Sequence, residues 1–309
     1  MNVLELLQKK LPLSRSELLL LIATAPNRYK VHTIDKRHNR GKRVIAQPTA
    51  EVKALQKLLL GILRGKLPVH SCAKAYQPGT SIRDHALPHA PNRYLLKLDF
   101  KDFFLSIKGG DFSSHIKRHL DIPDVEIEIF THAFFWTPKK TMDFVLAIGA
   151  PSSPWISNTI LFEFDELLTD YCDSKNVKYT RYADDLAFST NTPHVLKDVH
   201  AFVQDICKEI AYPRLNINES KTVFTSKKNS RSLTGLILSN EGSVSIGRAK
   251  KREIRAMAHK YQIGALDLES TLHLQGLLAF MQSIDPDFNQ SIARMVGNDR
   301  YLTLTKQLQ

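Results

Sequence analysis

The spacing of apolar residues changes several times along this chain, and each change marks an element. Ser14 and Glu17 form a Ser-x-x-Glu capping box ahead of Leu18-Leu19-Leu20-Leu21-Ile22, which predicts a helix start. Residues 29–34 and 43–46 alternate as strands around a polar turn ending in Arg40-Gly41-Lys42, so they predict a hairpin. Val52, Leu55, Leu58 and Leu59 return at helical spacing over 51–63, with Gly65 as the stop. The stretch 71–93, with Pro78, Gly79, Pro88 and Pro91, reads as loop, and 94–100 then reads as a buried strand.

Further on, Ser153 as N-cap and Pro154 at the first helical position open a helix. Its apolar positions Ile156, Ile160, Leu161, Phe164, Leu167 and Leu168 carry it to Tyr171 as one element. Residues 177–182 and 186–189 are rich in aromatic and β-branched types and predict two strands about a tight turn. A helix is expected over 195–210 and a strand near 215–224, while 233–238 and 243–246 flank the hairpin signal Asn240-Glu241-Gly242. From Arg248 to Gln262 an apolar stripe at Ile254, Met257, Ala258 and Tyr261 describes an amphipathic helix, and 268–281 is helical again. No internal repeat or low-complexity tract interrupts this order.

At 309 residues and 43% hydrophobic content the chain can bury a sizeable core, and its length suggests about two domains. The formal charge of +12 suits a polyanionic partner, because Lys and Arg release counterions from phosphates. Cys72, Cys172 and Cys207 are odd in number and far apart, which supports neither a disulfide framework nor a zinc knuckle and fits a reducing, cytoplasmic setting. The basic start and the run ending at Ala25 imitate a secretory signal, but the capping box with Glu17 argues for a helix instead. No apolar run reaches the roughly 18 residues of a membrane span, so no membrane is expected as partner.

The candidate chemistry centres on Tyr182-Ala183-Asp184-Asp185. Adjacent carboxylates at a hairpin tip repel, a cost that hard Mg²⁺ turns into a gain because it prefers carboxylate oxygens. Asp99, ending its own buried strand, supplies a third acid if the fold sets the strands side by side. Three such carboxylates can hold two ions about 3.5–4 Å apart, the arrangement for in-line phosphoryl displacement. In the first hairpin Arg28, Lys30, Lys36, Arg37, Arg40, Lys42 and Arg43 face a single acid, Asp35, enough to grip a triphosphate or a nucleic acid backbone. The helix after the Gly149 loop can aim free backbone N–H groups at a phosphate or base. Lys221 offers an ammonium that could protonate a departing pyrophosphate. Arg248, Lys250, Lys251, Arg252 and Arg255 give the 248–262 helix a basic outer face for a nucleic acid backbone. His85 and His89, and likewise His115 and His119, stand four apart but lack the Glu of an HExxH arrangement, and are read as surface histidines rather than metal ligands.

In order, the motifs are Leu98-Asp99-Phe100-Lys101-Asp102-Phe103-Phe104, Gly149-Ala150-Pro151-Ser152-Ser153-Pro154 with Asn158, Tyr182-Ala183-Asp184-Asp185, Lys221-Thr222 and Leu233-Thr234-Gly235. Together they resemble a reverse transcriptase, specifically the bacterial retron type, over about residues 15–285, and His85-Ala86-Leu87-Pro88-His89 resembles the retron Asn-Ala-x-x-His signature. The resemblance implies an α+β right-hand fold of fingers, palm and small helical thumb, the palm's antiparallel sheet carrying the Tyr182–Asp185 hairpin. Its expected division is 1–93 N-terminal helix and fingers, 94–110 palm strand, 111–147 insertion, 148–242 palm, and 243–309 RNA-binding thumb. It implies Asp99, Asp184 and Asp185 as catalytic ligands of two Mg²⁺ ions, and Phe104 as the aromatic that excludes a ribose 2′-hydroxyl. It gives Lys42 or Arg43 to the incoming triphosphate, Lys221 to the leaving group, and Ser153, Pro154, Asn158 and Tyr182 to positioning template and primer.

Two departures stand out: Ile148 replaces the usual Gln before Gly-Ala-Pro, leaving only the loop's backbone to act, and His85 replaces the usual Asn. The resemblance further implies deoxynucleoside triphosphates as substrates and a structured noncoding RNA as template. Priming from a 2′-hydroxyl of an internal guanosine would give branched RNA-linked DNA (msDNA), in antiphage defence alongside a separate effector protein. The rival readings are a group II intron-like or diversity-generating reverse transcriptase and a catalytically silent RNA-binding scaffold. The short stretch after the expected thumb argues against the intron type, and the presence of all three acids argues against the scaffold.

Overall fold

The computed structural model describes residues 2–35, 41–139 and 143–306. The charged turn residues Lys36, Arg37 and Arg40 lie outside them. At the N-terminus α1 (Val3–Lys10) and α2 (Arg15–Thr24) precede the hairpin of β1 (Tyr29–Asp35) and β2 (Lys42–Pro48), then α3 (Ala50–Leu63). The expected capping box opens α2: Ser14 accepts from the Glu17 N–H, and Glu17 accepts from the Ser14 N–H in return.

The chain continues through α4 (Ile82–Ala86), β3 (Tyr94–Asp99), α5 (Phe103–Ser106), α6 (Gly109–His119) and α7 (Asp124–Phe134). Next come α8 (Ser153–Ile160), α9 (Phe162–Ser174), β4 (Lys178–Tyr182), β5 (Asp185–Thr190), α10 (Val195–Glu209) and β6 (Val223–Ser226). The central antiparallel sheet has the order β4-β5-β3-β6. Because β3 pairs on both sides and buries residues on both faces, its sequence is a near-continuous apolar run rather than an alternation. One large core joins α1–α3, β3, α6–α10 and β5, and each fully buried Leu or Phe in it contributes about 1.5–3 kcal/mol.

The strands β7 (Arg231–Leu233), β8 (Leu236–Leu238) and β9 (Val244–Ser245) form a small sheet over a second core with Ala86, Leu95 and Ala187. Four helices close the chain: α11 (Arg248–Gln262), α12 (Leu268–Ile284), α13 (Pro286–Val296) and α14 (Asn298–Lys306), around a third core of Ile254, Leu274, Leu278, Met281 and Ile292. Among the described residues no helix is long and apolar enough to cross a membrane.

Four expectations need correction. The helix read from 154 to 171 is two, parted at Leu161; apolar positions continue on both sides of the break, so spacing runs across it, and Leu167 is exposed. Ser153 is the first helical residue rather than the cap, and Ser152 occupies the cap without a side-chain bond. The stretch 71–93 contains α4, opened by its own capping box of Ser81 and Asp84, and a 3₁₀ turn over Leu87–His89. The run 233–238 is itself a hairpin, because Thr234 and Gly235 both take positive φ (45° and 86°) and reverse the chain.

Candidate active site

Strands β4 and β5 pair down to Tyr182 opposite Asp185, leaving Ala183-Asp184 as a two-residue turn. Ala183 sits at φ +57°, in the left-handed region, which costs a residue with a Cβ about 1–2 kcal/mol. The neighbouring Arg181 holds it there. That side chain, without exposed surface, donates from Nη1 to the Ala183 carbonyl at 3.2 Å and to Asn158 Oδ1 at 3.0 Å. Its Nε and Nη2 reach Asp165 at 2.6–3.1 Å, and the Tyr179 hydroxyl donates to the same carboxylate at 2.8 Å. Burial works against the guanidinium charge, and Asp165 outweighs it.

Asp99 lies directly across from Asp185 in the β3–β5 register, and the Phe100 N–H donates to the Asp184 carbonyl at 3.2 Å. The acids from two distant stretches therefore converge. Burial, then the charges of Asp184 and Asp99, pushes the Asp185 carboxyl up to about 6; Asp184 is raised by burial and by Asp99. Lys221 Nζ donates to both oxygens of Asp99 at 2.8 Å, so this lysine is bound to an acid of the site. Crowded, half-buried oxygen donors whose charges oppose one another are the set that a hard dication suits, so the residues fit magnesium. The three acids do not all bring an oxygen within 4.8 Å of one another; among the described residues the donors that come this close as a trio are those of His115, His119 and Glu163.

Around the acids, Arg43 on β2 is placed so that its charge lowers the Asp184 pKa, whereas Lys42 pairs with Asp35 at the end of the hairpin where β1 and β2 are joined. The hairpin is tied down where Ala46 N–H donates to the Ile148 carbonyl at 2.8 Å. Gly149 follows at φ +116°, a conformation that favours glycine, and a Cβ there would crowd the Ala46 carbonyl oxygen of β2 at 3.1 Å. Ile148 thus contributes through its backbone. Phe104, half-buried in α5, packs 5.3 Å from the Phe103 ring. Tyr76, which sequence reasoning missed, is raised by burial and by Asp184 and Tyr182; its only signal was an aromatic just before Gln-Pro-Gly in a loop.

Several nominated residues are sealed inside. Asn158 has no exposed surface, and besides accepting from Arg181 its amide donates to the Ala75 carbonyl at 2.7 Å; it braces the hairpin rather than touching a nucleic acid. Ser153 is also buried, and Pro154 and Tyr182 are half-buried. His85, His89 and His115 are not surface histidines, since none exposes any area. Thr180 Oγ1 bridges His85 Nδ1 and His89 Nε2 at 2.7 and 2.8 Å, and Ser189 Oγ meets His89 Nδ1 at 2.7 Å, so α4 is fastened beneath the hairpin.

On α11 the basic face is partly spent within its own helices. Lys251 pairs with Asp285 at 2.5 Å, Lys251 and Arg255 lie 4.9 and 5.1 Å over the Phe288 ring, and Lys250 pairs with Glu253 at 2.7 Å. Arg248 and Arg252 remain exposed.

Comparison with known proteins identifies the family. The family model "Reverse transcriptase (RNA-dependent DNA polymerase)" matches residues 34–238. Retron Ec83 reverse transcriptase of Escherichia coli is 37% identical over 290 residues, covering 93% of each chain. Retron Ec86 reverse transcriptase of the same organism is 34% identical over 291 residues, 92% of this chain and 85% of that one. Among solved structures, apo telomerase from Candida tropicalis superposes with a TM-score of 0.51 at 14% identity, over 90% of this chain and 58% of its own, a likeness of fold.

Proposed function

This chain belongs to the reverse transcriptases of the retron type, RNA-directed DNA polymerases with an α+β polymerase fold, and from that premise we propose how its residues serve DNA synthesis on a structured noncoding RNA. The observation that carries the proposal is the register that sets Asp99 against Asp185 beside a turn bearing Asp184. These three acids would hold two Mg²⁺ ions, which when bound stabilise the charge of an in-line phosphoryl displacement. Arg43 attracts the triphosphate of an incoming deoxynucleotide toward the acids. Lys221 carries a proton at the Asp99 carboxylate, within the same site as a leaving pyrophosphate. Residues 1–93 act as fingers, 94–110 and 148–242 as palm around the 111–147 insertion, and the helices of 243–309 as a thumb in which Arg248 and Arg252 meet the RNA backbone.

The product proposed is branched, RNA-linked single-stranded DNA primed from a guanosine 2′-hydroxyl, made in antiphage defence with a separate effector protein. The support is the 37% identity to a retron enzyme over nearly the whole chain. Purified protein with its co-purifying RNA is expected to incorporate deoxynucleotides in Mg²⁺, and Asp184→Asn to stop this while RNA binding persists. Incorporation untouched by that change rejects the metal assignment. Sequencing the co-purified nucleic acid is expected to find a 2′–5′ branch, and a wholly linear product rejects the priming mode.

Phe104 is assigned to sugar selection, since it stands half-buried on the short helix that follows Asp99. Phe104→Ala is expected to lower discrimination against ribonucleotides by on the order of 10²-fold, the scale set by steric fit in a pocket. Competition between dGTP and GTP in single-turnover assays measures it, and unchanged discrimination removes Phe104 from this role.

A further inference from the structure

His115 and His119, four apart on α6, meet Glu163 from α9, a juxtaposition that joins residues far apart in the sequence. The hydrogen bonding fixes which nitrogen of His115 is bare. Thr159 spends its hydroxyl proton on the Pro68 carbonyl at 2.7 Å, so it can only accept from His115 Nε2, 3.0 Å away. His115 Nε2 therefore carries the hydrogen, and Nδ1 presents a lone pair. That lone pair faces Glu163 Oε2 at 3.6 Å, and both atoms are buried without a hydrogen-bond partner. Two acceptors confronting each other out of water is an arrangement that a cation between them resolves.

We propose that His115 Nδ1, His119 Nε2 and Glu163 form a site for a divalent transition-metal ion of the zinc class, which staples α6 to α9 and is distinct from the aspartate site. A tetrahedral ion with bonds of about 2.0–2.2 Å sets its ligand atoms roughly 3.3–3.6 Å apart, which the His115–Glu163 gap already meets. His119 Nε2 stands 2.8 Å from Glu163 Oε1 and needs to move away by about 0.5–0.8 Å to reach that spacing. The hydrogen bond from His115 to Thr159 is the outer-shell partner that metal-bound imidazoles use to fix their tautomer. Burial depresses the His115 pKa, although Glu163 works the other way, and this favours the neutral ligand form. A cleft lined by Arg118, His119, Phe162, Glu163, Glu166 and Leu167 opens beside the three donors and gives entry and room for a water as fourth ligand. Arg118 Nη1, 3.7 Å from Glu163 Oε1, opposes the ion, but its side chain is 60% exposed and can swing into solvent. Glu166, exposed on the same cleft, offsets it.

The test uses untagged, full-length protein in excess Mg²⁺, which keeps the hard-oxygen aspartate site occupied. Zinc uptake by elemental analysis is expected at one equivalent, with a raised melting temperature that EDTA reverses. Cobalt is expected to give the intense visible bands of a four-coordinate site, without thiolate charge transfer because no cysteine is a ligand. His119→Gln and Glu163→Gln are expected to weaken zinc binding at least about tenfold. The proposal is overturned if the unaltered protein takes up no zinc, if cobalt shows only weak six-coordinate bands, or if folded variants bind zinc like the original. The last outcomes would make the trio a proton-sharing contact alone. Should the variants fail to fold, the cobalt spectrum of the unaltered protein decides.

Discussion

Asp185→Asn is expected to remove DNA synthesis and, in the same protein, to raise the melting temperature of the metal-free form at pH 8. The two effects have one source. Asp185 sits half-buried opposite Asp99 and next to Asp184, and burial first, then those two charges, lifts its carboxyl from 3.8 to about 6. An acid raised in this way binds its proton more tightly folded than unfolded. Its contribution is fully present below the unfolded value and is lost as pH rises through the folded one, here between 3.8 and about 6. Above that window the native state holds an unwelcome charge, at a cost on the order of 3 kcal/mol. An amide in its place never ionises.

Thermal melts in EDTA are therefore expected to show the unaltered protein losing stability from pH 4 to pH 7 more steeply than the Asn variant, with the variant the more stable at pH 8. Magnesium should restore the unaltered protein at pH 8 and do little for the variant, because a dication is stabilised by the charge that otherwise penalises the fold. Incorporation of deoxynucleotides should fall by at least about 10²–10³-fold, the scale of losing one preorganised electrostatic group. Parallel pH–stability curves for the two proteins, or a variant that still synthesises DNA, would break the link between the strained acid and the reaction.

The aspartate site was legible because its two halves carry local signals: an acid closing an apolar strand, and paired acids in a turn between aromatic strands. Those patterns place Asp99 and the turn; only the sheet order, with β3 between β5 and β6, says that they meet. Secondary structure is legible where periodicity is long, as over 248–262, and obscure where a single residue decides. Leu161 parts two helices without disturbing the apolar pattern, and Thr234 takes a left-handed conformation that its residue type does not advertise. Buried polar residues were the larger loss. Composition sends His85, His89, Asn158 and Arg181 to the surface, yet each lies inside because a partner from another element satisfies it, and such partnerships are invisible along one chain. The same blindness hid Glu163 from His115 and His119.

The buried Arg181–Asp165 pair makes the second large prediction. Arg181→Met is expected to destabilise the protein by about 3–5 kcal/mol, since it leaves the Asp165 carboxylate in the core with the Tyr179 hydroxyl and no counter-charge. Coupling it with Asp165→Asn removes that charge while the new amide oxygen still accepts from Tyr179, so most of the lost stability should return in urea melts. Activity should not return with it. The Ala183 carbonyl still lacks the Arg181 donor that holds the turn in its left-handed conformation, and Asn158 loses the same donor. A turn free to relax displaces Asp184 and Asp185, and misplacement by about 1 Å costs on the order of 10²-fold in rate. The loss should fall on kcat, with RNA affinity close to that of the unaltered protein, because no residue of the network is exposed to the nucleic acid. A double variant that regains both stability and polymerisation would mean that the pair only fills the core; one that regains stability alone identifies Arg181 as the residue that aims the acids.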